Sequence, residues 1–192
     1  MSYIERIYQI GKENNGYITN KDLLGKDIPT IYLTRLSRNG LISRIDNGIY
    51  LMNEYFQDDF YTLSLKYSRM IFCRKSALYL HDLTNTQIEY LQGNFPYGYN
   101  ITNVQGVKGY VVGKTKYSIG ICNIKTPLGN IVKTYDKERC ICDLFIYNDF
   151  DNEETRYIIR SYKEGGINRD VLYSYAEKLG VLEKIKAIFE VI

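Results

Sequence analysis

The chain has 192 residues, 45% of them hydrophobic and 14% aromatic, which is enough for one large or two small packed domains and excludes an intrinsically disordered chain. No N-terminal stretch resembles a signal peptide and no apolar run approaches the roughly 20 residues of a membrane helix, so a cytoplasmic protein with no membrane partner is expected. Cys73, Cys122, Cys140 and Cys142 lack paired C-x-x-C spacing and His81 is the sole histidine, so the residues argue against a zinc site or disulfide framework and for buried, reduced thiols; no cofactor is expected.

A polar helix from Met1 to Asn15 leads in, and Gly16 ends it as a left-handed cap. Thr19 then opens a short second helix by capping its first turn, with Leu23 and Leu24 as the apolar side. Gly25 to Ile28 turn the chain, Pro29 starts a third helix, and Gly40 closes it. At about 100° per residue, Pro29, Tyr32, Leu33, Leu36 and Gly40 fall on one side and Thr30, Ile31, Thr34, Arg35 and Arg38 on the other. Leu41 to Ile45 alternates apolar and polar, Asp46-Asn47-Gly48 turns, and Ile49 to Met52 returns, which is a hairpin.

Helix, helix, helix and hairpin in this order are the parts of a winged helix-turn-helix. In that arrangement the second helix of the pair reads base edges, which makes Thr30, Ile31, Thr34, Arg35 and Arg38 the outward face and Arg44, Asn47 and Thr19 candidate phosphate clamps. The competing reading is a tri-helical module for protein contact, with both arginines merely solvated.

The acidic connector Asn53 to Asp59 holds neither Gly nor Pro and reads as a packed joint. A helix over 60–70 turns Leu63, Tyr67 and Met70 inward; Ile71 to Cys73 is a short buried strand; Lys75 to His81 is helical. Strand patterns follow at Asn100 to Thr102, Gly109 to Val112, Ser118 to Ile124 and Ile131 to Thr134. Asp136 caps a helix to about Tyr147, and three further helices fall near 153–164, 169–179 and 181–190.

Charge is uneven along the chain. Residues 1–59 carry 7 Lys and Arg against 8 acids, residues 60–150 carry 11 against 6, and residues 151–192 carry 7 against 8. The middle excess sits in Lys66, Arg69, Arg74 and Lys75 and in Lys108, Lys114 and Lys116, candidates for binding phosphate or an acidic surface, the alternative being a solvated face. Asp136, Glu138 and Asp143 with Lys137 are the nearest thing to a metal-nuclease constellation, but Glu138 leaves the helix face that Asp136 and Asp143 share, and capping and surface pairing explain the set better. Asp143, set among Cys142, Leu144 and Phe145, needs a partner such as Arg139. His81 reads as a structural hydrogen-bonder, and the chain as a non-enzyme.

Three stretches, Gly16 to Tyr50, Ser76 to Thr84 (SALYLHDLT) and Tyr135 to Leu144 (YDKERCICDL), resemble in order and spacing the AbiEi family of antitoxins from bacterial abortive-infection (type IV) toxin-antitoxin systems. The resemblance spans nearly the whole chain. It implies a DNA-binding N-terminal domain that represses its own operon through double-stranded promoter DNA, and a C-terminal domain that counters a nucleotidyltransferase-like toxin without requiring a stable complex with it. A monomer in solution is expected. The expected fold is α+β, with a winged helix-turn-helix over 1–56 and a C-terminal antitoxin domain over 57–192 built from a small, mainly antiparallel sheet and several helices. The alternative is a plain winged-helix regulator with a ligand- or protein-sensing C-terminal domain.

Overall fold

A computed structural model describes residues 2–189; the expectations placed on Met1 and residues 190–192 lie outside the described residues. Among the described residues there are ten helices and two sheets, of three and five strands, an α+β fold. No helix among them is long and apolar enough to cross a membrane. The chain divides into two compact units, one running to Ser68 and including Leu128–Asn130, the other comprising Arg69–Pro127 and the chain from Ile131 onward.

The first unit opens with α1 (Tyr3–Glu13), started by a capping box in which Ser2 and Glu5 satisfy each other's backbone amides. Its stripe of Ile7, Ile10 and Gly11 is buried. Gly11 lets the helix approach the sheet, because a Cβ there would overlap Met52 Sδ. Asn14 is the C-cap, Asn15 takes the left-handed position just past it with φ of 49°, and Gly16 follows with φ of 88° and donates its amide to the Gly11 carbonyl at 2.7 Å, so the left-handed cap falls one residue before the Gly16 that the sequence predicts.

Next comes β1 (Tyr17–Thr19), which the sequence reading misses because three residues between a cap and a cap carry no period. Helix α2 (Asn20–Leu24) starts at Thr19, whose side chain and that of Asp22 form a second capping box. Leu23 is fully buried but Leu24 is 69% exposed; the two do not share a side, since neighbours on a helix point about 100° apart. Helix α3 (Ile31–Arg38) starts later than expected, with Thr30 as N-cap, so Pro29 lies in the turn and is exposed rather than inward, as is Gly40.

Strands β2 (Ile42–Asp46) and β3 (Ile49–Met52) form the predicted hairpin, with β3 central in the order β1-β3-β2 and a register shift between Arg44 and Asp46. Ile7, Ile10, Ile18, Leu23, Leu33, Leu36, Ile42 and Met52 make the core, each stabilising the unit by about 1.5–3 kcal/mol on burial. Helix α4 (Asp59–Lys66) is capped by Asp58. It belongs to this unit, so the division falls after Ser68 and not after Phe56. The cause is Tyr17, 1% exposed, whose hydroxyl accepts from the Asp58 amide at 2.7 Å and lies 3.0 Å from Thr62 Oγ1.

In the second unit, β4 (Ile71–Phe72) and α5 (Arg74–Leu80) match expectation, and β5 (Gln92–Pro96) does not. A segment reading QGNFP looks like a break, yet all five residues are buried. Gln92 accepts from the Lys75 amide and donates to Tyr110 Oη, Asn94 donates to Tyr135 Oη, and Pro96 sits at the strand's end, where a missing donor is tolerated. Asn100 to Thr102, expected as a strand, is a loop and turn in which Asn100 Oδ1 accepts from the Thr102 amide.

Strand β6 (Lys108–Val112), the helical turn α6 (Lys114–Tyr117), β7 (Ile121–Lys125) and β8 (Ile131–Tyr135) complete the sheet in the order β6-β5-β4-β8-β7. The sheet is mixed, not mainly antiparallel: β5–β6 and β4–β8 pair parallel, β4–β5 and β7–β8 antiparallel. Helix α7 (Lys137–Tyr147) is the hub against which α5, α8 (Asn152–Glu164), α9 (Arg169–Leu179) and α10 (Leu182–Phe189) pack, and its Ile141 and Leu144 are buried while Phe145 is half-buried.

Candidate nucleic-acid interface

Leu33 and Leu36 seat α3 in the core at 0% and 4% exposure, and this sets what the opposite face presents. Ile31, Arg35 and Arg38 are exposed and Thr34 is half-buried, all within about a 100° arc. Thr30 makes no side-chain cap bond, so its hydroxyl is not committed to the helix start. The Arg35 guanidinium lies 5.8 Å from the Tyr32 ring centre, and Tyr32 packs on Tyr3 of α1 at 5.3 Å, which stiffens one side of the face. Neither Arg35 nor Arg38 forms an ion pair among the described residues.

At the hairpin turn Arg44 Nη2 donates to Asn47 Oδ1 at 3.1 Å, so the two predicted clamps act as one polar group. Thr19 differs. Its hydroxyl donates to Asp22 Oδ2 at 2.7 Å and accepts from the Asp22 amide, so both of its capacities serve the α2 cap. An open cleft of about 570 Å³ gathers Thr19, Asn20, Lys21, Asn47, Ser64 and Lys66, joining the start of α2, the hairpin turn and the end of α4. Ser64 carries no signal in the sequence, where nothing shows that these three segments meet.

Of Lys66, Arg69, Arg74 and Lys75, two are paired to acids within their own units. Lys66 Nζ lies 2.6 Å from Asp46 Oδ2, and this bond holds the Asp46 carboxyl below the usual carboxylate range. Its effect is to neutralise the one acid on the β2–β3 hairpin, a charge that would otherwise repel phosphate. Arg74 belongs to the second unit and is spent there. Its guanidinium sits 3.7 Å from the Tyr110 ring centre and 3.8 Å from that of Tyr147, and Nη1 donates to Asp149 at 2.8 Å. Lys75 Nζ lies 5.0 Å from the Phe150 ring, and Arg69 lies 5.8 Å from the Tyr99 ring.

The carboxylates at the start of α7 are each engaged. Asp136 caps the helix by accepting from the Arg139 amide and also accepts from Tyr175 Oη; Glu138 accepts from Tyr162 Oη; Asp143 pairs with Arg139. Among the described residues no three His, Cys, Asp or Glu side chains gather as metal ligands. His81 Nε2 lies 2.7 Å from the Tyr135 carbonyl, which can only accept, so Nε2 carries the proton, and burial lowers the ring's pKa. All four cysteines are free, and burial pushes the thiols of Cys122 and Cys142 up to about 11 and about 12, where they stay protonated. Along α8 an open groove of about 520 Å³ is lined by Thr155, Arg156, Ile159, Lys163 and Ile188 among others.

Neither a protein-family model nor a curated protein sequence matches the chain. Among solved structures it is similar to the crystal structure of the RV2827C protein from Mycobacterium tuberculosis, with a TM-score of 0.62 at 10% sequence identity over 91% of this chain and 71% of that one. Likeness at that identity speaks to fold alone.

Proposed function

We propose that the chain is an AbiEi-like antitoxin of a type IV toxin-antitoxin system: its first unit is a winged helix-turn-helix that represses its own operon by binding double-stranded promoter DNA, and its second unit counters a nucleotidyltransferase-like toxin. The observation that carries the DNA reading is the outward face of α3, where Ile31, Thr34, Arg35 and Arg38 project from a helix seated by Leu33 and Leu36 while Arg44 and Asn47 extend from the adjoining hairpin. Arginine is the side chain best suited to the paired acceptors of guanine in the major groove, and a threonine methyl suits thymine. The antitoxin half rests on the resemblance of Ser76 to Thr84 and Tyr135 to Leu144 to that family.

The test measures binding of the full chain to the DNA upstream of its own operon, and survival of cells that co-express the toxin-like partner gene. Saturable binding to that DNA over a scrambled duplex, with rescue of growth, is the expected result. Binding no tighter than to the scrambled duplex defeats the repressor reading, and failure to rescue defeats the antitoxin reading. Binding without rescue favours a plain winged-helix regulator, for which the α8 groove, with Ile159 and Ile188 among Arg156, Arg160 and Lys163, is the place for a sensed ligand.

A further inference from the structure

In the second unit, aromatic rings and cations alternate in a continuous ladder. Lys108 Nζ lies 5.0 Å from the Tyr90 ring centre and 5.8 Å from that of Tyr110; the far side of the ladder continues through Arg74, 3.7 Å from Tyr110 and 3.8 Å from Tyr147. The two ends differ. Arg74 is 12% exposed, paired to Asp149, and closes the inner end as part of the fold. Tyr90 is 47% exposed and Lys108 is exposed, so neither contributes much burial. Both are nevertheless held in place. Lys108 is the first residue of the edge strand β6, its amide donates to the Leu91 carbonyl, and its Nζ donates to Tyr90 Oη at 3.4 Å. The segment Arg69–Pro127 that bears this outer end has seven Lys and Arg against Asp82 and Glu89 alone.

We propose that the outer end of this ladder is a binding site for single-stranded RNA, with Tyr90 as the platform on which an unpaired base stacks and Lys108 as the ligand of the adjoining phosphate. A ring held by a neighbouring cation loses little freedom when a base lies on it, and every base offers a π-face, so the site selects unpaired bases and not sequence. A duplex keeps its bases stacked inside and cannot offer one; RNA loops and ends can. With Arg74 paired to Asp149 the segment keeps an excess of four cations, which an anionic occupant matches and an apolar peptide does not. This site lies in the second unit and is independent of the α3 face of the first.

The test uses the full chain and a fluorescein-labelled 12-residue oligo(U) at low salt. Wild type binds saturably, Tyr90→Phe stays within about twofold of it because the ring is kept, and Tyr90→Ala weakens binding at least about fivefold. Lys108→Gln reduces the slope of log K against log salt by about 0.7, one single-strand phosphate. Unchanged thermal melting of all three variants keeps misfolding out of the comparison. The proposal is overturned if wild type shows no saturable binding, if Tyr90→Ala binds as wild type does, or if random duplex DNA displaces the probe as well as unlabelled oligo(U). Operator binding is measured alongside, and its presence or absence bears only on the first unit.

Discussion

Arg139 Nε lies 2.9 Å from Asp143 Oδ1, with the two side chains 0% and 3% exposed, so a complete ion pair sits one helical turn apart inside the core of the second unit. Burial raises the Asp143 pKa against the opposing pull of Arg139, and Arg139 also donates through Nη1 to the carbonyls of Lys116 and Ile119. The arginine therefore ties the residues around α6 to α7. Arg139→Met strands a buried carboxyl and two carbonyls, and is expected to cost about 3–5 kcal/mol in urea denaturation. Combining it with Asp143→Leu should recover part of that loss, because the double variant leaves no buried charge without its partner; a double variant less stable than the single one would contradict this account.

Tyr17 performs the corresponding task in the first unit with a hydroxyl in place of a charge. Tyr17→Phe keeps the ring, which packs edge-on against Tyr61 at 5.0 Å, and removes the acceptor of the Asp58 amide, the donor to the Asp58 carbonyl at 3.1 Å and the contact to Thr62. Losing a buried hydrogen-bond partner at constant shape costs about 1–3 kcal/mol. The loss should appear in the first unit's unfolding, followed by amide exchange at Thr62 and Leu63, with the exchange of α7 unchanged.

His81 is the sole histidine of the sequence and its folded pKa is depressed, first by burial. The unfolded chain therefore binds a proton in the range just below pH 6.5 that the folded chain refuses. The stability this group contributes is fully present above the unfolded value and is lost as pH falls towards and through the folded one. Wild type should lose more thermal stability between pH 7.5 and pH 5.5 than His81→Gln, which has nothing to titrate there. Equal losses in the two proteins would assign the pH dependence elsewhere.

What the sequence made legible follows from period and caps. Thr19 and Asp136 act at helix ends where one residue type decides the geometry, and the helices from Lys137 to Phe189 carry apolar stripes that a 3.6-residue period exposes. Strand β5 was illegible because its burial rests on partners far along the chain: Gln92 on Tyr110, Asn94 on Tyr135. The same cause misdirected the basic group. Lys66 and Arg74 look free in the sequence, but their partners Asp46 and Asp149 lie 20 and 75 residues away, and no local pattern reports such a pair.

That pairing makes a quantitative prediction for DNA binding. Each phosphate neutralised on a duplex contributes about 0.9 to the fall of log K per tenfold rise in salt. Arg35 and Arg38 are exposed and unpaired with any acid among the described residues, whereas Lys66 is already neutralised by Asp46 at 2.6 Å. If the two arginines read bases, Arg35→Ala and Arg38→Ala should each lower affinity for the operator by about 1–3 kcal/mol while affinity for a scrambled duplex changes far less. If they hold phosphates instead, the double variant should lose affinity for both duplexes alike and flatten the salt slope by about 1.8. Lys66→Gln separates the hairpin's own charge from both cases. It frees the Asp46 carboxylate beside Arg44 and Asn47, so it should weaken binding by repulsion from the exposed acid, and Asp46→Asn in the same chain should restore the affinity. Filter binding of the five variants across a salt series checks all of these, and a Lys66→Gln loss that Asp46→Asn fails to restore would mean that Lys66 contacts the DNA itself.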